Sequence, residues 1–457
     1  MADIQALLGE IVGSDQVLAG EAIPEDYGHD EALTAAAQRP AYLVRPRTDE
    51  QVAALLKVAS ESHVPVTARG MGTGLSGASI PRADGICVSF ERMNAIIEVD
   101  AENHVAVVQP GVTLSELDER LAAHGLSYPV YPGELSASLG GNIGTNAGGM
   151  RAVKYGVTRH HVLGLRAALA TGELIRTGGK FVKASTGYDL TQLIIGSEGT
   201  LALVTEATVK LQPRLTHAAT VLAPFSSLDE VGRAVPKIVD TGLGPSILEY
   251  IDGLTMGAIA YTEKLNLGIP DEVRDSAQAY LVVGLESAHA DRLDADTEIL
   301  GGLLTELGAT DAYVLDGPSA RKLIEARERT FWTAKSVGAN DIVDVVVPRS
   351  AIPEYLSWVR ELAQRNGAAI LGCGHAGDGN VHLGVFAADE QLRHELLLAL
   401  FEKGIALGGA ISGEHGVGRE KKRYFLALTD SATVELMRRI KQAFDPAGVL
   451  NPDLMFD

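Results

Sequence analysis

The chain has 457 residues, enough for about three domain-sized units at ~150 residues each. Hydrophobic residues make up 46% and charged residues 21%, a balance that excludes a disordered or fibrous protein. A formal charge of −20, from 39 Lys and Arg against 59 Asp and Glu, argues against general nucleic-acid binding, although Arg419-Glu-Lys-Lys-Arg423 reads as a local basic patch. Two cysteines, Cys87 and Cys373, are too few for a disulfide framework or a four-cysteine zinc site. The opening Met-Ala-Asp-Ile-Gln lacks a secretion-signal pattern, and no apolar run reaches the ~18 residues needed to span a bilayer. These features predict a soluble, cytoplasmic protein and leave peripheral membrane contact open.

In chain order, residues 49–62 place apolar groups at helical spacing, with Thr48 or Asp49 available as a cap. Val64-Pro-Val-Thr reads as a short strand running into a glycine-rich loop. Strands are predicted at 85–90, 96–100 and 104–108, and a helix near 114–124. After a second glycine-rich stretch come single β-like segments at 165–175 and 200–212. Mixed α and β with glycine turns at strand ends is the layout of a domain that holds its ligand on loops. Pro213-Arg214 marks a boundary. Beyond it, strand–helix–strand units at 218–224, 227–241 and 247–252, then 280–286, 290–307 and 312–315, predict an antiparallel sheet backed by helices. Residues 369–386 read as a strand pair around a glycine loop, and a helix at 432–443 stops at Phe-Asp-Pro-Ala-Gly.

Three loops carry the first chemistry. Arg69-Gly-Met-Gly-Thr-Gly-Leu-Ser-Gly-Ala78 has four glycines in eight residues after a strand, letting backbone N–H groups turn toward an anion such as a pyrophosphate. It has no Gly-Lys-Ser/Thr and no following acidic ribose ligand, so it is neither a Walker loop nor a dinucleotide fingerprint. Gly140-Gly-Asn-Ile-Gly-Thr-Asn-Ala-Gly-Gly149, preceded by Tyr131-Pro-Gly-Glu-Leu-Ser-Ala-Ser138, offers small, polar, close-approach backbone. Gly196-Ser-Glu-Gly-Thr-Leu201 is a turn into a strand. Each alone reads equally as a surface turn; together, over about 130 residues, they point to one extended ligand wrapped by a domain.

A fourth constellation is His375-Ala-Gly-Asp-Gly-Asn-Val-His382 with Ser412-Gly-Glu-His-Gly416. Two imidazoles and a carboxylate suit a borderline divalent metal with open positions, and these residues alone also allow a flavin-free metal hydrolase. A fifth is Glu325-Ala-Arg-Glu-Arg-Thr-Phe-Trp332, whose pattern by itself reads as an exposed charged helix face.

The three loops resemble those of the vanillyl-alcohol-oxidase-type FAD-linked superfamily. The resemblance is strongest to the branch of glycolate oxidase D-subunits, D-lactate dehydrogenases and D-2-hydroxyglutarate dehydrogenases, and runs from about residue 38 to Asn451-Pro. It implies an α+β fold: a two-lobed FAD-binding domain of the p-cresol methylhydroxylase (PCMH) type, and a substrate domain with an antiparallel sheet flanked by helices. The implied boundaries are an N-terminal helical segment over 1–37, the FAD-binding domain over 38–213, the substrate or cap domain over 214–415, and a segment over 416–457 returning to the flavin domain. FAD would be held in extended form, with Arg69, Gly70, Met71, Gly72, Thr73 and Gly74 cradling the pyrophosphate. Pro132, Ser138, Gly141, Asn142, Thr145, Asn146, Gly148 and Gly149 would run along the ribityl and isoalloxazine side, and Glu198 and Gly199 would approach the adenosine half. Some relatives tether the flavin through a His where this chain has Thr73, so the FAD is expected to be non-covalent.

The same resemblance makes His375, His382 and Glu414 ligands of a divalent metal, zinc being the expected ion, and His415 the catalytic base. It makes Arg327 the holder of the substrate carboxylate, with Arg329 on another side of the helix. Asp378 and Asn380 are expected to shape their turn. Hydroxyglutarate-specific relatives carry a Lys where this chain has Ile342, two residues before Asp344-Val-Val-Val-Pro348, and an Asn where it has Gly384. Both departures remove partners for a second carboxylate and favour D-lactate or glycolate as the 2-hydroxy acid, with D-2-hydroxyglutarate oxidation or a non-catalytic flavoprotein subunit as alternatives. The chain ends Asn451-Pro-Asp-Leu rather than the family's usual Asn-Pro-Gly-Lys. The electron acceptor is left open among quinone, electron-transfer flavoprotein, cytochrome and oxygen, the oligomeric state admits a homodimer, and no nucleic-acid partner is expected.

Overall fold

A computed structural model describes residues 4–456. The helix Asp49–Ser62 starts where the Thr48 hydroxyl accepts from the Gln51 N–H at 3.3 Å, and it ends at His63 in the left-handed region. It buries Val52, Leu55, Leu56 and Ala59, a stripe at helical spacing. That stripe covers a four-stranded sheet ordered Val17–Ala19, Tyr42–Val44, Ile86–Ser89, Val66–Arg69. The last three strands are parallel, a pairing that needs a crossover, and the helix supplies the one from Tyr42–Val44 to Val66–Arg69.

The second lobe is a five-stranded antiparallel sheet ordered Ile96–Asp100, Val105–Val108, Leu203–Lys210, Val162–Ala168, Leu174–Gly178. The segment expected as one strand over 165–175 is a hairpin: the chain reverses through Thr171 and Gly172, where the Gly172 N–H donates to the Leu169 carbonyl. The second glycine-rich stretch is not loop throughout. Ser138 caps a short helix, Leu139–Thr145, which buries Leu139 and Ile143 despite its glycines. Packing here overrides poor helix propensity.

The antiparallel sheet expected beyond Pro213 has seven strands, ordered Tyr313–Leu315, His217–Phe225, Ala279–Ser287, Ile247–Asp252, Ala369–His375, Asn380–Phe386, Asp341–Val346. Helices Leu228–Asp240, Ala290–Glu306, Ile352–Asn366 and Glu390–Ala406 cover one face, meeting Leu248, Tyr250, Val343, Val345, Val381 and Leu383. Because strand side chains alternate, the intervening residues Glu249, Ile342, Asp344 and His382 stand on the other face. Helices Gly253–Thr262 and Gly317–Glu328 pack there against Ile251 and Cys373. The four-helix core thus takes one set of apolar residues, while Glu249, Asp344 and His382 stand on the opposite side together with Ile251, Ile342 and Cys373. No helix among the described residues is long and apolar enough to cross a membrane.

The C-terminal segment returns to the first lobe. Helix Ser431–Phe444 ends where the Asp445 carboxylate accepts from the Val449 and Leu450 N–H groups, and Leu450 forms a parallel bridge with Val66. The Asn451 amide then donates to the carbonyls of Ala78 and Glu198, both at 2.8 Å, joining two glycine-rich loops. Asn451→Ala removes both donors from a buried position and is expected to cost about 2 kcal/mol of stability, measured as a lowered denaturant midpoint at unchanged slope.

Candidate active site

The three glycine-rich loops converge on one groove of about 1330 Å³. Gly70, Met71, Gly72, Thr73, Gly74, Pro132, Ser138, Gly141, Asn142, Thr145, Gly148, Glu198 and Gly199 all line it. Asn146 lies beside it in the left-handed region that closes the short helix, with its side-chain oxygen on the Arg159 N–H at 3.0 Å; Gly149 faces the neighbouring cavity. The Arg69 guanidinium is committed elsewhere, donating to the Asp26 and His29 carbonyls at 2.6 Å each, so its charge anchors the N-terminal segment. Gly72 has φ +75°, and a Cβ there would collide with that guanidinium. Glu198 likewise turns its carboxylate onto the Gly418 N–H at 3.0 Å, and burial pushes it up to about 7. Asn142 Nδ2 and Ser76 Oγ are buried in the groove wall without partners, polar atoms suited to an extended polar cofactor such as FAD.

The two histidine segments meet at the groove's end. His375 Nε2 and His382 Nε2 lie 3.0 and 3.2 Å from Glu414 Oε1, and the three ligand atoms fall within 4.8 Å of one another. Behind them, His375 Nδ1 lies 2.7 Å from Glu249 Oε1 and His382 Nδ1 3.6 Å from Asp344 Oδ1. The hydrogen-bonded carboxylate behind His375 is the arrangement that orients a metal-ligating histidine, while His382 Nδ1 stands near Asp344 without a hydrogen bond. Burial opposes charge on His375, yet Glu249 and Glu414 hold its pKa well above the ordinary range. Among the described residues, the buried carboxylates Glu249 and Asp344 pair with Arg327 and Lys421 as fixed cations, and Glu414 stands partly buried between the two imidazoles, so the donor set and its charge both fit a divalent cation. Glu414 also touches the flavin-groove loop: a Cβ on Gly148 would stand 2.6 Å from Glu414 Oε2.

His415 stacks on His382 with ring centroids 5.0 Å apart, and both Glu414 and His415 line the groove and a second cavity of about 1260 Å³. Burial, with Lys421 and His382 adding, brings the His415 pKa down to about 4, leaving a neutral imidazole able to accept a proton at neutral pH. Arg327 enters the second cavity from the end of helix Gly317–Glu328 and is only 7% exposed, so the charged-helix-face pattern misleads at this position. Its Nη2 lies 2.6 Å from Glu249 Oε2, but the angle leaves Nε and Nη2 without an aligned hydrogen bond. Arg329 points away, toward Glu263.

Two organising residues, Glu249 and Asp344, carry no sequence motif for these roles. The Asp344 carboxylate is fully buried and accepts from the N–H groups of Gly413, Glu414 and His415 at 2.8–3.1 Å, from Ser412 Oγ at 2.7 Å and from Asn380 Nδ2 at 2.9 Å. Asn380 therefore braces a neighbouring strand as well as its own turn. In the 419–423 segment Lys421 is buried and Arg423 is exposed. Arg419 donates to the Ile80 carbonyl, Lys421 to Ser412 Oγ and the Gly416 carbonyl, and Arg423 to the Tyr424 hydroxyl.

An extended glycine-lined groove ending at a polar cluster, on this two-lobed fold, defines a flavin-linked oxidoreductase. Residues 40–178 match the FAD binding domain family and residues 214–454 the family of FAD linked oxidases, C-terminal domain. The chain belongs to the FAD-linked oxidases and is an FAD-dependent oxidoreductase. It is 61% identical over 456 residues to an uncharacterised FAD-linked oxidoreductase of Mycobacterium tuberculosis strain H37Rv, covering 100% of this chain and 99% of the relative. It is 37% identical to the glycolate oxidase subunit GlcD of Bacillus subtilis, covering 91% and 89%. With a D-lactate dehydrogenase of Archaeoglobus fulgidus the identity is 38%, covering 94% and 95%. The fold matches that of p-cresol methylhydroxylase with substrate bound, with a TM-score of 0.81 at 18% identity, over 99% of this chain and 96% of that one.

Removing the Asp344 carboxylate strands five donors and two neighbouring imidazoles in a buried site. Asp344→Ala is expected to lose about 3 kcal/mol or more of stability, read from denaturant unfolding of the flavin-loaded protein.

Proposed function

We propose that the protein oxidises a D-2-hydroxy acid to the 2-keto acid, with monocarboxylates such as D-lactate and glycolate favoured over a dicarboxylate. The observation that carries this reading is that Arg327, His415 and the His375/His382/Glu414 cluster share one cavity opening onto the glycine-lined groove. The Arg327 guanidinium, whose Nε has no hydrogen-bond partner, receives the substrate carboxylate, while Glu249, 2.6 Å from Nη2, keeps it in place. His375, His382 and Glu414 would hold a divalent cation, zinc being one that suits them, which supplies Lewis acidity toward the substrate hydroxyl. His415 takes the hydroxyl proton at Nε2, and the Asp344 charge, 4.0 Å from Nδ1, offsets the imidazolium that forms. Bound FAD supplies the two-electron acceptor for the hydrogen leaving C2. The names of the glycolate oxidase subunit and the D-lactate dehydrogenase among the relatives agree with this chemistry.

The preference for a monocarboxylate rests on Ile342 and Gly384, direct cross-strand partners that both line the second cavity. Among the described lining residues, Arg327 is the one Lys or Arg, while Glu31, Glu134 and Glu328 add acidic groups. Burial, with like charge from Glu325, pushes Glu328 up to about 8.

Anaerobic addition of D-lactate or glycolate is expected to bleach the flavin absorbance of the purified yellow protein. His415→Ala should keep its flavin and reduce it at least about 10²-fold more slowly. Absence of bleaching by every D-2-hydroxy acid tried overturns the proposal. Ile342→Lys is expected to raise the kcat/KM ratio of D-2-hydroxyglutarate over D-lactate by about tenfold, the worth of one charge-assisted hydrogen bond; an unchanged ratio removes Ile342 from the specificity argument.

A further inference from the structure

The second cavity holds more than a two- or three-carbon acid requires. Beyond Arg327 and the histidine cluster its wall is made by Leu254, Phe331, Trp332, Val337, Ile342 and Phe386. None of these six lines the glycine groove, although Thr73, Pro132 and Gly149 from the flavin side share the second cavity with them. They come from separate pieces of the substrate domain: Leu254 from helix Gly253–Thr262, Phe331 and Trp332 from helix Thr330–Ser336, Ile342 and Phe386 from two adjacent strands, and Val337 from the turn between. Phe331 and Trp332 meet edge to face at 5.2 Å, and Trp332, Val337 and Leu254 remain 43%, 55% and 70% exposed. Large apolar groups left open to solvent at one end of a charged pocket mark a surface that a ligand covers.

Glycolate or lactate, anchored at Arg327, presents no group long enough to cover that wall. A second carboxylate is disfavoured there as well, since Lys335, the nearby cation on helix Thr330–Ser336, is already paired with Glu31 at 2.9 Å.

Building on the hydroxy-acid reading above, we infer that the preferred substrates are D-2-hydroxy acids with an apolar side chain of about four carbons or more, branched or aromatic, lying along the Ile342–Phe386–Trp332 wall. Arg327 and the histidine cluster fix the carboxylate and hydroxyl, and burial of the side chain supplies the discrimination over lactate.

The test is anaerobic stopped-flow reduction of the flavin-loaded protein by glycolate, D-lactate, D-2-hydroxybutyrate, D-2-hydroxyisocaproate and D-phenyllactate, compared as the second-order rate constant at low substrate. Each added methylene is expected to raise it by about fourfold, the value of one buried CH₂ group, so that D-2-hydroxyisocaproate exceeds D-lactate by at least tenfold. Phe386→Ser and Trp332→Ser, matched for flavin content, are expected to bring the isocaproate-to-lactate ratio down at least threefold. A flat or falling series with lactate still reducing the flavin overturns this inference and leaves the hydroxy-acid reading standing. A rising series that neither variant alters also overturns it, because the wall is then not where the side chain binds. No reduction by any member of the series overturns the hydroxy-acid reading itself.

Discussion

The site depends on one buried carboxylate. Asp344 lies on a strand at the edge of the seven-stranded sheet, and its oxygens accept from the consecutive N–H groups of Gly413, Glu414 and His415. A loop carrying both a ligand candidate and a base candidate would otherwise be free to wander. Three charge-assisted hydrogen bonds to one anion, with Ser412 and Lys421 closing around it, pin its backbone against the strand. His382 is the cross-strand partner of Asp344, so the same residue sets the register between the loop and the histidine hairpin. An isolated buried carboxylate is costly, and here it is sustained because nearly every lone pair is used.

The second constraint is how the sheet domain meets the flavin lobes. Gly148 leaves room for Glu414, and the Glu198 carboxylate reaches across to the Gly418 N–H just beyond His415. Arg151 pairs with Glu286 at 2.6 Å on the far side of the same junction. Short polar contacts, with Val153 packed against the core of the sheet domain, thus couple the groove to the histidine cluster. The tail after Phe444 reinforces the arrangement, since Asn451 bonds two of the glycine-rich loops together.

Much of the architecture was legible from local pattern. The helix at 49–62 carries a cap, a period and a stop, and the strand expected at 96–100 and the helix expected at 227–241 form at Ile96–Asp100 and Leu228–Asp240. The failures have identifiable causes. The 165–175 segment read as one strand, and the Thr171-Gly172 turn that splits it into two paired arms is set by the fold. The helix Leu139–Thr145 was hidden because glycine's low propensity is outweighed by a Ser138 cap and two buried side chains. Arg327 lies in a run of charges typical of an exposed helix face, and only the packing of that helix against the sheet turns it inward. Arg69 and Glu198 line the groove, and their charged groups also bond to other parts of the chain.

The sequence alone determined the glycine loops suited to an extended cofactor and the histidine and glutamate residues able to act together, because these depend on residue type and spacing. It also identified Ile342 and Gly384 as a pair of departures from hydroxyglutarate-type relatives. Only the tertiary structure decided that Glu249 stands behind His375 and Arg327, that Asp344 holds the 412–415 loop, and that six apolar side chains from four elements converge beside the site. Such pairings join residues separated by tens to hundreds of positions. Strand register and the side of the sheet each side chain faces create them, and neither is written in any local stretch of sequence.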